Sequence, residues 1–198
     1  MFFRSERLFL RPGWPEDWRE LFARTADEQI VRNLSRAPWA WGADDGRDFA
    51  APSRDRRLPH FLVTLPQTAC GTSGAALIGG IGLMDAAGAP ELGCWIAREH
   101  WGRGYATEAG RAALSVARAL GHRQVRAAHF ADSPAAGRVL VKLGFRPTGR
   151  IEPRFSLVRG EQVPALVMVC PLDAASGGDD DDTGGAAGGD KASMLRAA

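Results

Sequence analysis

A glycine-rich turn runs directly into an alanine-rich helical pattern in the segment HWGRGYATEAGRAAL, His100–Leu114. A helix N-terminus carries about half a positive charge and several N–H groups without helical partners, so it can bind an anion. Gly102 and Gly104 lack Cβ atoms and let a phosphate approach the backbone, and Arg98 and Arg103 add positive charge nearby. The segment therefore predicts an anion site. The alternative is a tight strand-to-helix turn that binds nothing.

Two common nucleotide-binding motifs do not fit this turn. A dinucleotide-binding G-x-G-x-x-G motif needs glycine three residues after Gly104, where this chain has Thr107. A G-x-x-x-x-G-K-[ST] phosphate loop occurs nowhere in the sequence. The sequence thus favours a different phosphate-bearing ligand.

The elements around the turn follow from hydrophobic patterning. Strands are predicted at residues 7–11, 60–65, 75–84, 91–97, 124–130, 146–151 and 163–170. Helices are predicted at residues 14–25, 105–120 and 133–144, the last with Ser133 as N-cap and Pro134 at its first position. Residues 33–59 are interpreted as a loop region with a short helix near Arg47–Ala51. This order predicts a mixed α/β sheet with helices on its faces, and not a doubly wound fold.

Composition narrows the class of protein. The 198 residues carry a net charge of +2 with both signs interleaved, which argues against a nucleic-acid partner. Cys70, Cys94 and Cys170 have neither disulfide nor zinc spacing, so no metal is expected and reduced thiols in a cytoplasm fit better. The N-terminus MFFRSERLFLRP is too charged for a signal peptide, and no apolar segment is long enough for a membrane span.

The chain divides into one domain and a tail. Residues 1–173 have the composition of a single globular domain. From Ala174 onward the sequence changes to Gly, Ala, Ser and a run of Asp, which cannot bury enough apolar surface to fold. Residues 174–198 are therefore expected to be disordered.

Two motifs in order carry a family resemblance. ELGCWIAREHWGRGYATEAGRAAL, followed by ADSPAAGRVLVKLGF, resembles the central motifs of the GNAT superfamily of acetyl-CoA-dependent N-acetyltransferases. YATEA and the N-terminal ERLFLRP most resemble the branch that acetylates the N-termini of ribosomal proteins, including alanine N-termini. The resemblance covers residues 4 to about 172. It implies the GNAT fold, a mixed central sheet of six to seven strands flanked by about four helices.

The resemblance also implies how acetyl-CoA is bound. In the family pattern Q/R-x-x-G-x-G/A, this chain has Trp101, Gly104 and Ala106 at the specified positions. Backbone N–H groups from about Trp101 to Ala106 would hold the pyrophosphate, and the preceding strand, Cys94 to Ile96, would hydrogen-bond the pantetheine arm. Arg138 and Lys142 could reach the 3′-phosphate, or could simply form a solvated helix face. The implied cofactor-binding residues are Cys94, Trp95, Ile96, Trp101, Gly102, Arg103, Gly104, Tyr105, Ala106, Thr107, Ser133, Arg138 and Lys142.

The catalytic candidates are Glu91 and Ser133. Glu91 stands where this branch often has a glutamate, and we expect it to act as a base or to orient a water; a solvated strand-edge carboxylate is the alternative. The branch commonly has N-x-x-S at the second motif, where this chain has Ser133 and Ala136. Ser133 or a water would replace the tyrosine acid of many relatives, because Tyr105, the sole tyrosine, is expected to pack inside the turn.

Three other groups of residues are further candidates for a role at the site. Cys94 could carry an acyl group, but a buried strand cysteine is the better interpretation. Glu108 is interpreted as structural, since a carboxylate in the first turn of a helix is favoured by the helix dipole. Trp39 and Trp41, with Asp44 and Asp45, could bind a cationic acceptor or could only close the core.

The resulting functional expectation is acetyl transfer to a primary amine by direct attack on the thioester. A protein or peptide N-terminal α-amine is the favoured acceptor. The alternatives are an antibiotic or polyamine acceptor, or a non-catalytic acyl-CoA-binding module. The protein is expected to be a monomer or a homodimer.

Overall fold

A computed structural model describes residues 1–34, 55–66, 75–156 and 158–172. The strands are β1 (Phe3–Arg4), β2 (Phe9–Arg11), β3 (His60–Pro66), β4 (Ala75–Ala86), β5 (Ala89–Ile96), β6 (Gln124–Phe130), β7 (Arg146–Ser156) and β8 (Glu161–Pro171). The α-helices are α1 (Trp18–Thr25), α2 (Glu28–Val31), α3 (Tyr105–Ala119) and α4 (Pro134–Lys142). Short 3₁₀ turns precede α1 at Pro15–Asp17 and α3 at Arg98–His100.

The strands form one sheet in the order β1-β2-β3-β4-β5-β6-β8-β7. All neighbouring strands are antiparallel except β5 and β6, which run parallel because α3 crosses between them. The mixed sheet is confirmed. The described chain has eight strands rather than six to seven. The additional strand is β1, whose two residues are too few to give an alternating pattern. The strand predicted from Arg7 is β2, which begins at Phe9.

Helices cover both faces of the sheet. On the side that we call the α3 face, α3 and α4 pack against Val125, Ala127 and Ile96 in the main core. Gly110 permits this close packing, since a Cβ there would lie 2.4 Å from Leu143 Cδ1. On the opposite side, the α1 face, Leu21 and Ile30 of α1 and α2 pack with Leu62, Leu77 and Trp95.

Local signals placed the elements of the α3 face accurately. α3 ends one residue before the predicted Leu120, and Gly121 follows it with φ +81°, as expected for the residue after a helix C-terminus. Strand β6 has the predicted limits. Ser133 occupies the N-cap position of α4, but its hydroxyl makes no capping hydrogen bond. The helix expected near Arg47–Ala51 lies outside the described residues.

Candidate active site

The turn between β5 and α3 presents a row of unused backbone N–H groups. Gly102 and Gly104 adopt φ values of +74° and +81°, a conformation that residues with a Cβ rarely adopt. The first bond of this helix end runs from the Glu108 N–H to the Gly104 carbonyl. The N–H groups of residues 102–107 donate to no atom in the part of the chain that the structure describes. A Cβ at Gly102 would meet nothing within 4 Å, so the space beside this residue is open.

Trp101 is an exception to the expected row of donors. Its backbone N–H donates to the Arg98 carbonyl at 3.1 Å, so this group is not free for a ligand. Its indole Nε1 donates to the Ile96 carbonyl at 2.6 Å and ties the turn to the end of β5. Trp101 therefore shapes the turn, and the expected set of N–H donors begins one residue later, at Gly102.

Glu108 connects the start of α3 to the N-terminal segment through hydrogen bonds with Ser5 and Arg7. Its carboxylate accepts from the Ser5 hydroxyl and the Arg7 N–H at 2.7 Å each, and from Arg7 Nε at 2.8 Å. Arg7 also donates to the Arg103 carbonyl at 3.1 Å. Burial opposes ionisation of Glu108, but the hydrogen bonds from Ser5 and Arg7 outweigh it, so the pKa of Glu108 lies below its ordinary value. These contacts account for Glu108 as a structural residue.

Strands β5 and β6 separate next to the turn. Within the described ranges they pair at one position, Glu91 with Arg126. We call the gap beyond that position, between residues 92–96 and 127–130, the cleft. The Ala97 N–H donates to Ile78 of β4, and successive N–H groups of a strand point to opposite edges. The N–H groups of Cys94 and Ile96 therefore point into the cleft, whereas that of Trp95 points to β4.

Four charged side chains close the narrow end of the cleft. Arg154 donates to both carboxylate oxygens of Glu91, at 2.5 and 2.7 Å, and the Glu91 side chain is only 5% exposed. Glu152 accepts from Arg126 at 2.8 Å and lies 3.5 Å from Arg154. The hydrogen bond and charge of Glu91 raise the pKa of Arg154 above its ordinary value. The expected catalytic carboxylate is thus buried and held by a guanidinium, not solvated at a strand edge.

A second charged group, which we call the rim cluster, lies at the wide end of the cleft. Arg159, in the β7–β8 turn, contacts Asp132 at 2.9 Å, and Arg32, after α2, contacts the same carboxylate at 3.3 Å. The Arg159 guanidinium also lies 4.9 Å from the centre of the Phe130 ring. The hydrogen bond from Arg159 holds the pKa of Asp132 below its ordinary value, so this carboxylate stays ionised at neutral pH.

Both charged groups are on the α1 face. The two-residue period of a strand assigns side chains to alternate faces, and Trp95 fixes the face because it packs with α1. The side chains on this face beside the cleft are Glu91, Gly93 and Trp95 of β5, Arg126, Ala128 and Phe130 of β6, and Glu152, Arg154 and Ser156 of β7. The α3 face of the cleft is reached from the turn and α4.

The remaining predicted cofactor residues lie on the α3 side. Ser133 begins α4, and Arg138 and Lys142 are exposed one helical turn apart on it. Tyr105 is buried against His100, with the Arg7 guanidinium 4.6 Å from its ring centre, so its side chain packs as expected. Burial raises the pKa of the Cys94 thiol to about 12, which leaves almost no thiolate at neutral pH and argues against an acyl-carrying role.

Four buried polar atoms lack a hydrogen-bond partner among the described residues. They are Trp95 Nε1, His100 Nδ1, Ser156 Oγ and Arg159 Nε. Buried polar groups are normally paired, so each exception marks a position of interest. Arg159 belongs to the rim cluster and His100 lies just before the glycine turn, whereas Trp95 Nε1 lies over Gly80 of β4 and Ser156 ends β7.

Further expectations from the sequence concern Trp39 and Trp41, residues 174–198, metal binding and membrane spans. Trp39, Trp41 and residues 174–198 lie outside the described residues. Across the described ranges, no group of three or more His, Cys, Asp or Glu is arranged to hold a metal ion. No helix in those ranges is both long and apolar enough to cross a membrane.

The glycine-lined helix N-terminus and the strand that leads into it occupy the positions that the resemblance implied for an acyl-CoA-dependent transferase. The chain belongs to the acetyltransferase (GNAT) domain family, and the sequence model of that family matches residues 7–146. It is 29% identical to YoaA, an uncharacterized N-acetyltransferase of Bacillus subtilis, over 154 residues, which cover 73% of this chain and 82% of the relative. The expected superfamily, and with it an acyltransferase activity that uses acetyl-CoA, is thereby confirmed.

Solved structures share the fold at lower identity. A ribosomal L7/L12 α-N-protein acetyltransferase, RimL, in complex with coenzyme A has a TM-score of 0.70 at 13% identity, covering 88% of this chain and 99% of that one. A spermidine N-acetyltransferase from Vibrio cholerae, in complex with CoA and spermine, has a TM-score of 0.68 at 20% identity, covering 84% and 96%. By their names, the first acts on the α-amine of a protein and the second on a polyamine.

The residues present fit acetyl-CoA. The open N–H groups of residues 102–107 and the glycine positive φ values suit a pyrophosphate at a helix N-terminus. The cleft-facing N–H groups of Cys94 and Ile96 suit an extended amide-bearing arm. When bound, acetyl-CoA supplies a thioester carbonyl carbon that an amine can attack.

Proposed function

We propose that this protein acetylates the α-amine at the N-terminus of a protein or peptide. One observation carries the proposal: the described carboxylates beside the cleft, those of Glu91, Glu152 and Asp132, are each bound by arginine. Such a site has little capacity to take up a proton or to attract a polycation. Both properties bear on the choice of acceptor.

The first property favours an acceptor that loses its proton easily. Both oxygens of Glu91 already accept from Arg154, and its remaining lone pairs can orient a water or an amine N–H. A peptide α-amine has a pKa near 7.7–8.0 and a lysine near 10.4. At pH 7.4 the neutral α-amine therefore costs less than about 1 kcal/mol, whereas neutral lysine costs about 4 kcal/mol.

The second property disfavours polyamines. A polyamine presents several cationic groups and needs surplus negative charge around it. Beside this cleft the three described carboxylates are matched by four arginines, which are Arg126, Arg154, Arg159 and Arg32. A peptide N-terminus has a single positive charge and needs no such surplus.

The other roles follow the geometry of the α3 side. The N–H groups from Gly102 to Thr107 bind the pyrophosphate, and Arg138 and Lys142 neutralise the 3′-phosphate. The cleft-facing N–H groups of Cys94 and Ile96 hold the pantetheine arm and stabilise the developing oxyanion. The Ser133 hydroxyl, which makes no capping bond, donates to the leaving thiolate directly or through a water.

The test uses a peptide with an N-terminal alanine and one internal lysine, incubated with acetyl-CoA and read by mass spectrometry. We expect the α-amine to be modified first, and spermidine to be a poor substrate at equal concentration. Exclusive modification of the lysine, or efficient acetylation of spermidine, would contradict the proposal. Binding of acetyl-CoA without transfer to any amine would favour a non-catalytic acyl-CoA-binding module.

A variant tests the role of Glu91. Glu91→Gln should lower kcat by roughly 10²-fold at neutral pH and recover in part at higher pH, where more of the amine is neutral. The exposed Glu16→Gln serves as the matched control and should leave the rate unchanged. An unaltered pH–rate profile in Glu91→Gln would remove this residue from the mechanism.

A further inference from the structure

The rim cluster has a surplus of positive charge at the entrance to the cleft. Arg159 and Arg32 share one carboxylate, that of Asp132, so the three side chains together carry one net positive charge. The Arg159 side chain is 11% exposed, and its guanidinium lies over the Phe130 ring, 4.9 Å from the ring centre. A guanidinium fixed by an aromatic ring and a carboxylate is oriented before any ligand arrives.

Arg159 keeps one donor unused in this arrangement. Its Nη atoms donate to Asp132 and to the Arg32 carbonyl, whereas its Nε is buried and has no partner among the described residues. A guanidinium N–H can only donate, so the missing partner must be a hydrogen-bond acceptor. Because the cluster also has surplus positive charge, an anionic acceptor fits better than a neutral one.

We propose that Arg159 recognises an acidic side chain near the N-terminus of the acceptor peptide, a specificity that rests on the proposed α-amine acetylation. Phe130 lies four residues beyond Arg126, the partner of Glu91 at the narrow end of the cleft. At about 3.3 Å per residue, the rim cluster is roughly 13 Å from that end. An extended peptide whose α-amine reaches the narrow end therefore presents its fourth or fifth residue to Arg159.

The test compares peptides that differ only at residues 4 and 5: Ala-Ala-Ala-Asp-Asp, Ala-Ala-Ala-Asn-Asn and Ala-Ala-Ala-Lys-Lys, each with the same neutral continuation. We expect kcat/KM to be about 10-fold higher for the Asp peptide than for the Asn peptide, and lowest for the Lys peptide. Moving the Asp pair to residues 7 and 8 should abolish the advantage. The advantage should also decrease as salt is raised.

Variants at Arg159 distinguish recognition from a structural role. Arg159→Gln should bring the Asp and Asn peptides within about 2-fold of each other while the Asn rate stays near the wild-type value. Asp132 keeps its contact with Arg32, so the fold should persist, and the thermal shift with acetyl-CoA checks this. Arg159→Lys should retain part of the preference. Arg150→Gln, at an exposed arginine of β7 on the α4 side, should change nothing.

The possible failures are distinguishable. Equal rates for the wild type on the Asp and Asn peptides, or an equal loss on both in Arg159→Gln, would overturn the specificity and leave α-amine acetylation standing. If no peptide is acetylated, tryptophan fluorescence titration of the protein with bound CoA decides the matter. Tighter binding of the Asp peptide that depends on Arg159 would uphold recognition and overturn the proposed reaction; absence of that preference would overturn both.

Discussion

Replacing Gly104 by valine separates backbone strain from loss of the phosphate site. The glycine has φ +81°, and a Cβ there would meet only Arg7 Nη2 at 3.6 Å, so the substitution is strained but has no internal clash. Strain of this kind costs of order 2 kcal/mol, which lowers Tm by roughly 4–8 °C for a chain of this size. Gly121→Val is the matched control, because Gly121 has the same φ, has nothing within 4 Å and terminates the same helix at its other end.

The two variants should differ in their response to acetyl-CoA. At about 100 times its Kd, a ligand stabilises the native state by roughly 2.7 kcal/mol, which raises Tm by about 5–11 °C. We expect wild type and Gly121→Val to show this rise in a thermal-shift assay. Gly104→Val should show none, because its side chain occupies the approach to the N–H groups. An equal rise in both variants would refute the assignment of the pyrophosphate to this turn.

Three further outcomes are expected. Arg154→Met leaves Glu91 charged and buried without its partner, so urea denaturation should show that the free energy of unfolding falls by about 3–5 kcal/mol. Adding Glu91→Gln should restore part of that free energy. If the losses of the two variants add instead, the broken pair is not the cause. Because the folded-state pKa of Glu108 is depressed, its stabilisation is present above its unfolded-state pKa and lost as pH falls through the folded value, so the stability gap between wild type and Glu108→Gln should close in acid. A chain ending at Asp173 should keep the Tm and acetyl-CoA affinity of the full chain, since the composition of residues 174–198 offers little to pack; a fall of several degrees in Tm would show that they contribute.

Local signals explain which elements could be predicted from the sequence. The glycine turn, helix α3 and Gly121 are encoded within about twenty consecutive residues, and their limits agree with the structure to within one residue. Strand β7 was predicted to end at Ile151 but continues to Ser156. In this part of β7 the apolar residues Ile151 and Phe155 are exposed, whereas Arg154 faces inward. The residues alternate as in a strand, but the face that looks buried from the sequence is the exposed one.

The partners of the candidate catalytic residue could not be predicted. Glu91 was chosen from a family position, and its description as a solvated or catalytic carboxylate omitted Arg154, which lies 63 residues later in the chain. The rim cluster joins Arg32 to Asp132 across 100 residues. Charged residues in exposed loops usually remain unpaired, and nothing in their local sequence distinguishes those that meet across a fold.

The break in pairing between β5 and β6 has a consequence for the lifetime of the protein. It leaves five strands on one side and three on the other; in the described residues the two sides are joined by one paired position, the Glu91–Arg154 contact, the rim cluster and the helices that cross between them. A ligand lying in this seam replaces the missing strand contacts and reduces the population of opened molecules. Proteases act on opened molecules when opening is fast. The rate at which the protein is degraded should therefore follow the supply of its acyl donor, so that a cell short of acetyl-CoA would also retain less of the enzyme.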